Sequence, residues 1–436
     1  MKSKTLYKDR VNIITLGCSK NLVDSEVLSG QLAANDIDVV HENKKQDHNI
    51  VVVNTCGFID KAKEESINTI LEQVSLKKKG KLDKVYVTGC LSERYRNDLE
   101  AEIPEVDAWF GTLELPLILK QFDADYKKEL LGERLLGTPK HYAYLKISEG
   151  CNRTCAFCAI PLMRGGHISK PIEAIVEETK SLVKKGVKEI MLIAQELTYY
   201  GLDIYKERKL AELLKHISDV QGVEWIRLHY AYPNKFPFDI LDVMRERENI
   251  CNYLDMPLQH ASDRMLKAMR RQSTKAEMIE TIQKIREKVP RICLRTTLIA
   301  GFPGETRDDV EELKAFLAEQ RFDRVGIFTY SHEEGTSGYA LNDDVPAEEK
   351  QARAQEIMEV QQEISYEKNA EKVGKPYKVI IDKKEAGRYL GRTEYDSVEV
   401  DNEVVIHSEK KLQPGEFVHV KITKAYDYDI EGEAVS

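Results

Sequence analysis

The chain has 436 residues, 42% of them hydrophobic, and a formal net charge of −9, so it is long enough for two or three domains with cores of their own. No apolar run reaches the length of a membrane span, the N-terminus shows no leader pattern, and the acidic balance argues against bulk neutralisation of a nucleic-acid backbone. Eight cysteines in a large chain without an export signal point to reduced thiols or metal ligands, and to the cytoplasm.

Short apolar runs alternate with helical patterns at the start of the chain. "VNIITLG" (11–17), "NIVVVNT" (49–55) and "KVYVTG" (84–89) read as parallel strands buried on both faces. "SEVLSGQLAAN" and "KEESINTILEQVSLKKKG" read as helices between them. This alternation predicts an α/β unit over residues 1–130, built on a doubly wound parallel sheet. Each strand runs directly into a cysteine beside a glycine: Cys18, Cys56 and Cys90. Ligands of an open parallel sheet bind at the carboxyl ends of its strands, so the three thiols are expected to converge there as a three-thiolate site. The alternative for each cysteine taken singly is core packing.

The next segment is Cys151-Asn-Arg-Thr-Cys155-Ala-Phe-Cys158. The spacing CxxxCxxC puts three thiols on one tight turn and supplies no fourth. A [4Fe-4S] cubane on three ligands keeps one iron open. An open iron can chelate the amino and carboxylate groups of S-adenosylmethionine and pass an electron to its sulfonium. The competing reading is a structural zinc knuckle, which needs a fourth ligand; only His141 and His167 stand near enough in sequence.

Strand-like runs then recur as "AYLKIS", "EIMLIAQ", "WIRLHY", "NYLDMPL", "CLRTTLIAG" and "VGIFTY", separated by amphipathic helices. Six such units over residues 141–371 predict a partial (β/α)6 TIM-like barrel, whose chemistry sits at the carboxyl ends of its strands. A long helix from about 347 to 372 should strap its outside. Phe157 is nominated to pack on the adenine of the cofactor. Gly165 and Gly166 would let backbone approach its methionine carboxylate, and Gln195, Arg227 and Arg295 would meet the carboxylate or ribose. Tight turns and strand-end hydrogen bonds are the structural alternatives for these positions. His260 is read as a satisfied core or surface residue, and Cys251 and Cys293 as core packing.

From residue 375 to 436 the pattern changes to short alternating strands: "YKVIID", "RYLGRTE", "SVEVDNEVVIH" and "FVHVKITKAYDYDIEGEAV". These predict a small antiparallel β-barrel of about five strands, OB-like. It holds ten Lys and Arg against thirteen Asp and Glu, a net of −3, which is unusual for an RNA platform.

Several motifs share one resemblance. "TLGCSKNLVDSE" (15–26), "NTCGFIDKAKEES" (54–66), "GCLSERY" (89–95) and "YLKISEGCNRTCAFCAIPLMRGGHIS" (144–169) resemble the radical S-adenosylmethionine methylthiotransferases. The resemblance covers essentially the whole chain: an N-terminal methylthiotransferase domain, a radical SAM domain and a C-terminal TRAM domain. It implies two [4Fe-4S] clusters, on Cys18, Cys56 and Cys90 and on Cys151, Cys155 and Cys158. It also implies S-adenosylmethionine as both methyl donor and radical source, and an external electron donor. "LIAGFPGET" (298–306) resembles the superfamily's adenine-binding strand end and adds Gly301 to the cofactor contacts. Where the family often has Gln-Asp-Thr, this chain has Gln195-Glu196-Leu197, so Glu196 receives no role. Pro is common where this chain has Ser19.

Within the family, "LGCSKNLVDSE" and the acidic terminal domain point to the branch that modifies an aspartate β-carbon in small-subunit ribosomal protein S-twelve. The branch acting on adenosine in transfer RNA generally has Gln-Met-Asn in place of Ser19-Lys20-Asn21, and nucleic acid is not the expected substrate. Opposite charge would steer a basic ribosomal protein, with Asp396, Glu399, Asp401 and Glu403 expected to help dock it. A non-catalytic iron–sulfur or zinc scaffold that binds RNA is the alternative of a different class.

Overall fold

The computed structural model describes residues 9–43, 45, 47–127 and 133–435. The outer bounds expected for the first unit, 1 and 130, lie outside them, as does residue 436. Among the described residues no helix is long and apolar enough to cross a membrane.

The first sheet contains β1 (Arg10–Thr15), β2 (Asp38–His41), β3 (Ile50–Thr55), β4 (Lys84–Gly89) and β5 (Ala108–Trp109). They run in the order β2-β1-β3-β4-β5, all parallel. Its helices are α1 (Ser19–Ala33), α2 (Asp60–Lys78), α3 (Cys90–Glu102) and α4 (Leu115–Lys120). The apolar runs of the central strands are covered on both sides. Val51, Val53, Val85 and Val87 meet Ile70, Val74, Leu91 and Leu99 on one face. Val11, Ile13, Val52 and Tyr86 meet Leu28, Leu32 and Ile118 on the other. The two short edge strands, β2 and β5, carry little apolar alternation and are not evident in the sequence pattern.

The second sheet begins with β6 (Tyr142–Lys146). A two-residue ribbon of β7 (Ser148–Glu149) and β8 (Ile168–Ser169) then brackets the cysteine loop and a short helix, α5 (Ile160–Arg164). The remaining strands are β9 (Glu189–Ile193), β10 (Trp225–Leu228), β11 (Ile250–Asp255), β12 (Cys293–Ala300) and β13 (Arg324–Thr329). All six main strands are parallel, in the order β13-β12-β11-β10-β9-β6, an open partial barrel. The helices between them are α6 (Ile172–Lys184), α7 (Leu210–Ser218), α8 (Asp239–Glu246), α9 (Asp263–Ala268), α10 (Lys275–Lys288) and α11 (Arg307–Gln320), and α12 (Ala347–Ala370) follows. Thr274 and Glu277 close a reciprocal capping box that fixes where α10 starts.

The last unit is a closed barrel of β14 (Pro376–Glu385), β15 (Arg388–Thr393), β16 (Val404–His407), β17 (Phe417–Ala425) and β18 (Ile430–Val435), in the order β14-β15-β16-β18-β17. It is antiparallel except at β16–β18, which pair in parallel.

One expected strand is different. Of "SVEVDNEVVIH", only Val404–His407 is strand. Residues 394–403 leave the small barrel and plug the interior of the large one. Asp396 pairs with Arg324 at 2.5 Å, and Asp401 accepts from Tyr253 at 2.7 Å and Arg295 at 3.3 Å. Ser397 bonds His229 at 3.0 Å, and Glu399 accepts from Tyr144 at 3.0 Å. This corrects the expected docking role for Asp396 and Asp401 alone, since Glu399 is exposed and the Glu403 side chain is 44% exposed. The side chains of Asp396 and Asp401 are 2% and 1% exposed, spent on internal arginines.

Candidate active site between two thiol sets

The first thiol set forms as the strand ends require. Cys18 caps α1 just after β1, Cys56 follows β3, and Cys90 opens α3 directly after β4. Their glycine neighbours allow the three loops to close up. Gly17 has φ +87°, and a Cβ there would stand 2.7 Å from the Cys56 sulfur. Gly89 has φ +99°, and a Cβ there would stand 2.4 Å from the Thr55 carbonyl oxygen. Larger residues are excluded at both positions by conformation and by space. Cys18 is exposed, while Cys56 and Cys90 are buried. Burial pushes the Cys90 thiol up to about 12 and raises that of Cys56. The nearby Arg164 guanidinium opposes this rise only in part.

The second set lies on the loop after β6. Cys151 N–H donates to the Gly165 carbonyl at 3.1 Å, and Cys158 N–H to that of Cys155 at 3.2 Å. The Arg153 N–H donates to the Cys151 sulfur at 3.4 Å, and the Arg271 guanidinium to the Cys155 sulfur at 3.4 Å. Burial pushes Cys151 to about 11 and Cys158 to about 12. The three thiols, with Gly166, Arg270 and Thr336, line a cleft of about 390 Å³.

Among the described residues no three His, Cys, Asp or Glu side chains close on one ion; a cubane spreads its thiolates over three irons. Of the candidate fourth zinc ligands, His141 is engaged elsewhere, and His167 through one ring nitrogen only, its buried Nδ1 having no partner among the described residues. His141 is held by Asp382 at 2.8 Å, and the Nε2 of His167 by Ser169 at 3.1 Å. Donors aimed at sulfur and an adjoining cleft fit an iron–sulfur cluster with a small ligand beside it.

Other nominated residues divide. Phe157 packs against Ala156, Met265, Met269, Ile299, Phe302 and Tyr330 beneath the cleft. Gly165, at φ +68°, ends α5. Gln195 donates to Glu149 at 2.7 Å, and its buried Oε1 has no partner among the described residues, leaving an acceptor for a ligand. Arg227 and Arg295 are corrections. Arg227 is fully buried and uses its donors on Glu189 (2.9 Å) and the carbonyls of Glu394 and Thr393. Arg295 uses its donors on Asp255, Thr297 and Asp401. Both anchor the plug rather than face the cleft. Gly301 is engaged too: its N–H donates to Glu305, and its Cα abuts the Lys350 side chain.

Several participants lie within or beside the quoted motifs but are given no role by the sequence. Arg153 lies between the rings of Tyr199 and Tyr232 and pairs with Glu196 at 2.9 Å. Glu196 also takes the Thr198 N–H at 2.6 Å, so it is a structural anchor beside the loop. Arg164, at the end of α5, bridges the two thiol sets. It donates to Asp24 at 2.6 Å, to Glu149 at 3.2 Å and to Asn21. Lys146 joins the same group through Glu149 at 2.6 Å and through Asp24. Burial opposes ionisation of Glu149, but Lys146 and Arg164 hold its carboxyl down to about 2. Cys90 packs directly on Ala159 and Met163, just beyond Cys158. A second bridge joins Glu333 to Arg94 at 2.6 Å and to Lys63 at 3.1 Å.

A parallel partial barrel with a CxxxCxxC loop at its carboxyl rim defines the radical SAM class. Family models agree: the radical SAM superfamily matches residues 145–317, an uncharacterised family (UPF0004) residues 10–111, and the TRAM domain residues 373–435. Two solved folds are similar. The radical S-adenosylmethionine methyltransferase TsrM of Kitasatospora setae has a TM-score of 0.56 and 14% identity, covering 74% of this chain and 75% of that one. The cobalamin-dependent radical enzyme OxsB has a TM-score of 0.52 and 12% identity, covering 82% of this chain and 56% of that one. At these identities the likeness is one of fold.

Relatives are much nearer in sequence. The ribosomal protein uS12 methylthiotransferase RimO of Flavobacterium johnsoniae is 60% identical, over 99% of this chain and 100% of its own. That of Cytophaga hutchinsonii is 58% identical over 100% of both. That of Parabacteroides distasonis is 53% identical over 99% and 100%. The chain belongs to this family of radical SAM methylthiotransferases. Membership implies S-adenosylmethionine and iron–sulfur chemistry, which the thiol sets fit.

Proposed function

We propose that this enzyme inserts a methylthio group at the β-carbon of an aspartate in ribosomal protein uS12. Cys18, Cys56 and Cys90 would hold one [4Fe-4S] cluster, and Cys151, Cys155 and Cys158 another. Bound there, the clusters and S-adenosylmethionine supply the carbon-centred radical and the sulfur that no side chain can provide. The observation that supports the reading is the packing of Cys90 with Ala159 and Met163, which sets the first thiol set against the helix that follows Cys158.

The protein's own part is binding and spacing. The thiols give up their protons on binding metal. The Arg271 guanidinium and the Arg153 N–H offset negative charge on sulfur. Gln195 and Gly166 offer polar contacts to the amino-acid end of S-adenosylmethionine, and Phe157 an apolar one nearby. The division of labour follows the three units, 1–130, 141–371 and 375–436. An external electron donor and a cytoplasmic setting, where uS12 is made, complete the reading.

The test is the mass of uS12 from cells with and without this gene. Its loss should lower uS12 by about 46 Da, the difference between hydrogen and a methylthio group. An unchanged uS12, with methylthio groups lost from adenosine in transfer RNA instead, would assign the enzyme to nucleic acid.

A further inference from the structure

Lys20 stands in the first turn of α1, two residues beyond Cys18, and is only 7% exposed. Its stem is covered, but the ammonium nitrogen is not sealed from solvent, so an incoming anion can reach it. The carboxylates around this rim are already answered. Asp24 and Glu149 take Lys146 and Arg164, Glu196 takes Arg153, and Asp255 takes Arg295 at 3.0 Å. Glu399 accepts from the Tyr144 hydroxyl. Among the described residues no carboxylate lies within ion-pair distance of Lys20. Its Nζ rests instead 3.2 Å from the centroid of the Tyr230 ring. A ring face attracts the charge but leaves ammonium hydrogens without acceptors.

The ring beneath Lys20 is firmly held. Tyr230 follows β10 at the carboxyl rim of the large barrel and holds φ +66°, a left-handed conformation costly for a residue with a side chain. Its N–H is pinned to Asp255 at 3.2 Å. Tyr230 and Val398 pack around a cluster of Val23 and Tyr144, joining α1, the barrel rim and the plug. The neighbouring His229 is buried and bonded to Ser397.

We infer that Lys20 receives the side-chain carboxylate of the aspartate that is modified, making it a specificity-determining residue. The inference rests on the substrate reading above. The β-carbon of aspartate is bonded directly to that carboxylate, so an anchor on the carboxylate holds the reacting carbon one bond away, at the rim both thiol sets share. A site built around a charged partner also rejects an analogue lacking it.

The test measures binding of reconstituted enzyme to uS12 and to uS12 with the target aspartate replaced by asparagine. The wild type should prefer the aspartate form by roughly tenfold or more. Lys20→Met should abolish the preference, and Lys20→Arg should keep most of it. Iron content and thermal midpoint establish that both variants fold; if Lys20→Met does not, the inference stands or falls on whether Lys20→Arg keeps the preference. A Lys20→Met enzyme that still discriminates, or that loses S-adenosylmethionine affinity instead, overturns the role of Lys20. A wild type that modifies no uS12 overturns the substrate reading, and the inference with it.

Discussion

Arg164, the last residue of the helix after Cys158, donates at 2.6 Å to Asp24, on the helix that begins beside Cys18. This buried guanidinium, with Lys146 and the Glu333 bridge, ties together the units that carry the two thiol sets. Sulfur can join a short-lived substrate radical only if it is already in place, so this spacing is part of the chemistry.

Arg164→Met leaves Asp24 and Glu149 short of a partner. It should cost about 3 kcal/mol, the scale for breaking a buried ion pair. It should also uncouple the reaction, with 5′-deoxyadenosine still forming and methylthiolated product falling more steeply. Denaturant unfolding and product analysis on one preparation check both. Equal losses of the two products would make Arg164 a stability residue only.

The plug leads to a second expectation. Asp396→Asn or Asp401→Asn should destabilise the chain, by about 3 kcal/mol for Asp396, whose partner Arg324 is equally buried. Reversing these charges should therefore lower the unfolding midpoint before it alters KM for uS12. A changed KM at unchanged stability would return both residues to a docking face.

Cys251 gives a dependence on pH. Burial against Trp225, Tyr253 and Ile380 pushes its thiol up to about 12, only partly opposed by Arg227. The unfolded chain releases this proton near the ordinary value of 9.0, while the folded chain retains it. Between those values the folded state binds more protons, so stability falls as pH rises. Cys251→Ala should show a shallower alkaline loss in denaturant titrations. An identical slope would remove the thiol from the account.

The thiol sets were legible because their chemistry is written in spacing and in strand ends. The partners of Arg227 and Arg295 were not. Strand position says that an arginine lies near a rim, but not that Thr393, Glu394 and Asp401 will reach it from another unit. "SVEVDNEVVIH" alternates as a strand does, yet its polar residues have stronger partners inside the large barrel, and the ladder gives way to them. Lys20 and Arg164 lie inside quoted motifs, but their partners appear only when α1 docks on the barrel, and Glu196 meets Arg153 only when the cysteine loop folds against the barrel.

Iron content checks the count of clusters. Reconstituted wild type should hold about eight irons, and Cys151→Ala/Cys155→Ala/Cys158→Ala about four, since a cubane has four. About four in the wild type and none in the variant would leave the first thiol set without a cluster.

The most direct measurement follows both products from an enzyme lacking the first set, Cys18→Ala/Cys56→Ala/Cys90→Ala, supplied with S-adenosylmethionine, reductant and uS12. The account predicts that 5′-deoxyadenosine still forms and that uS12 gains no methylthio group. Normal methylthiolation of uS12 by this variant would contradict it.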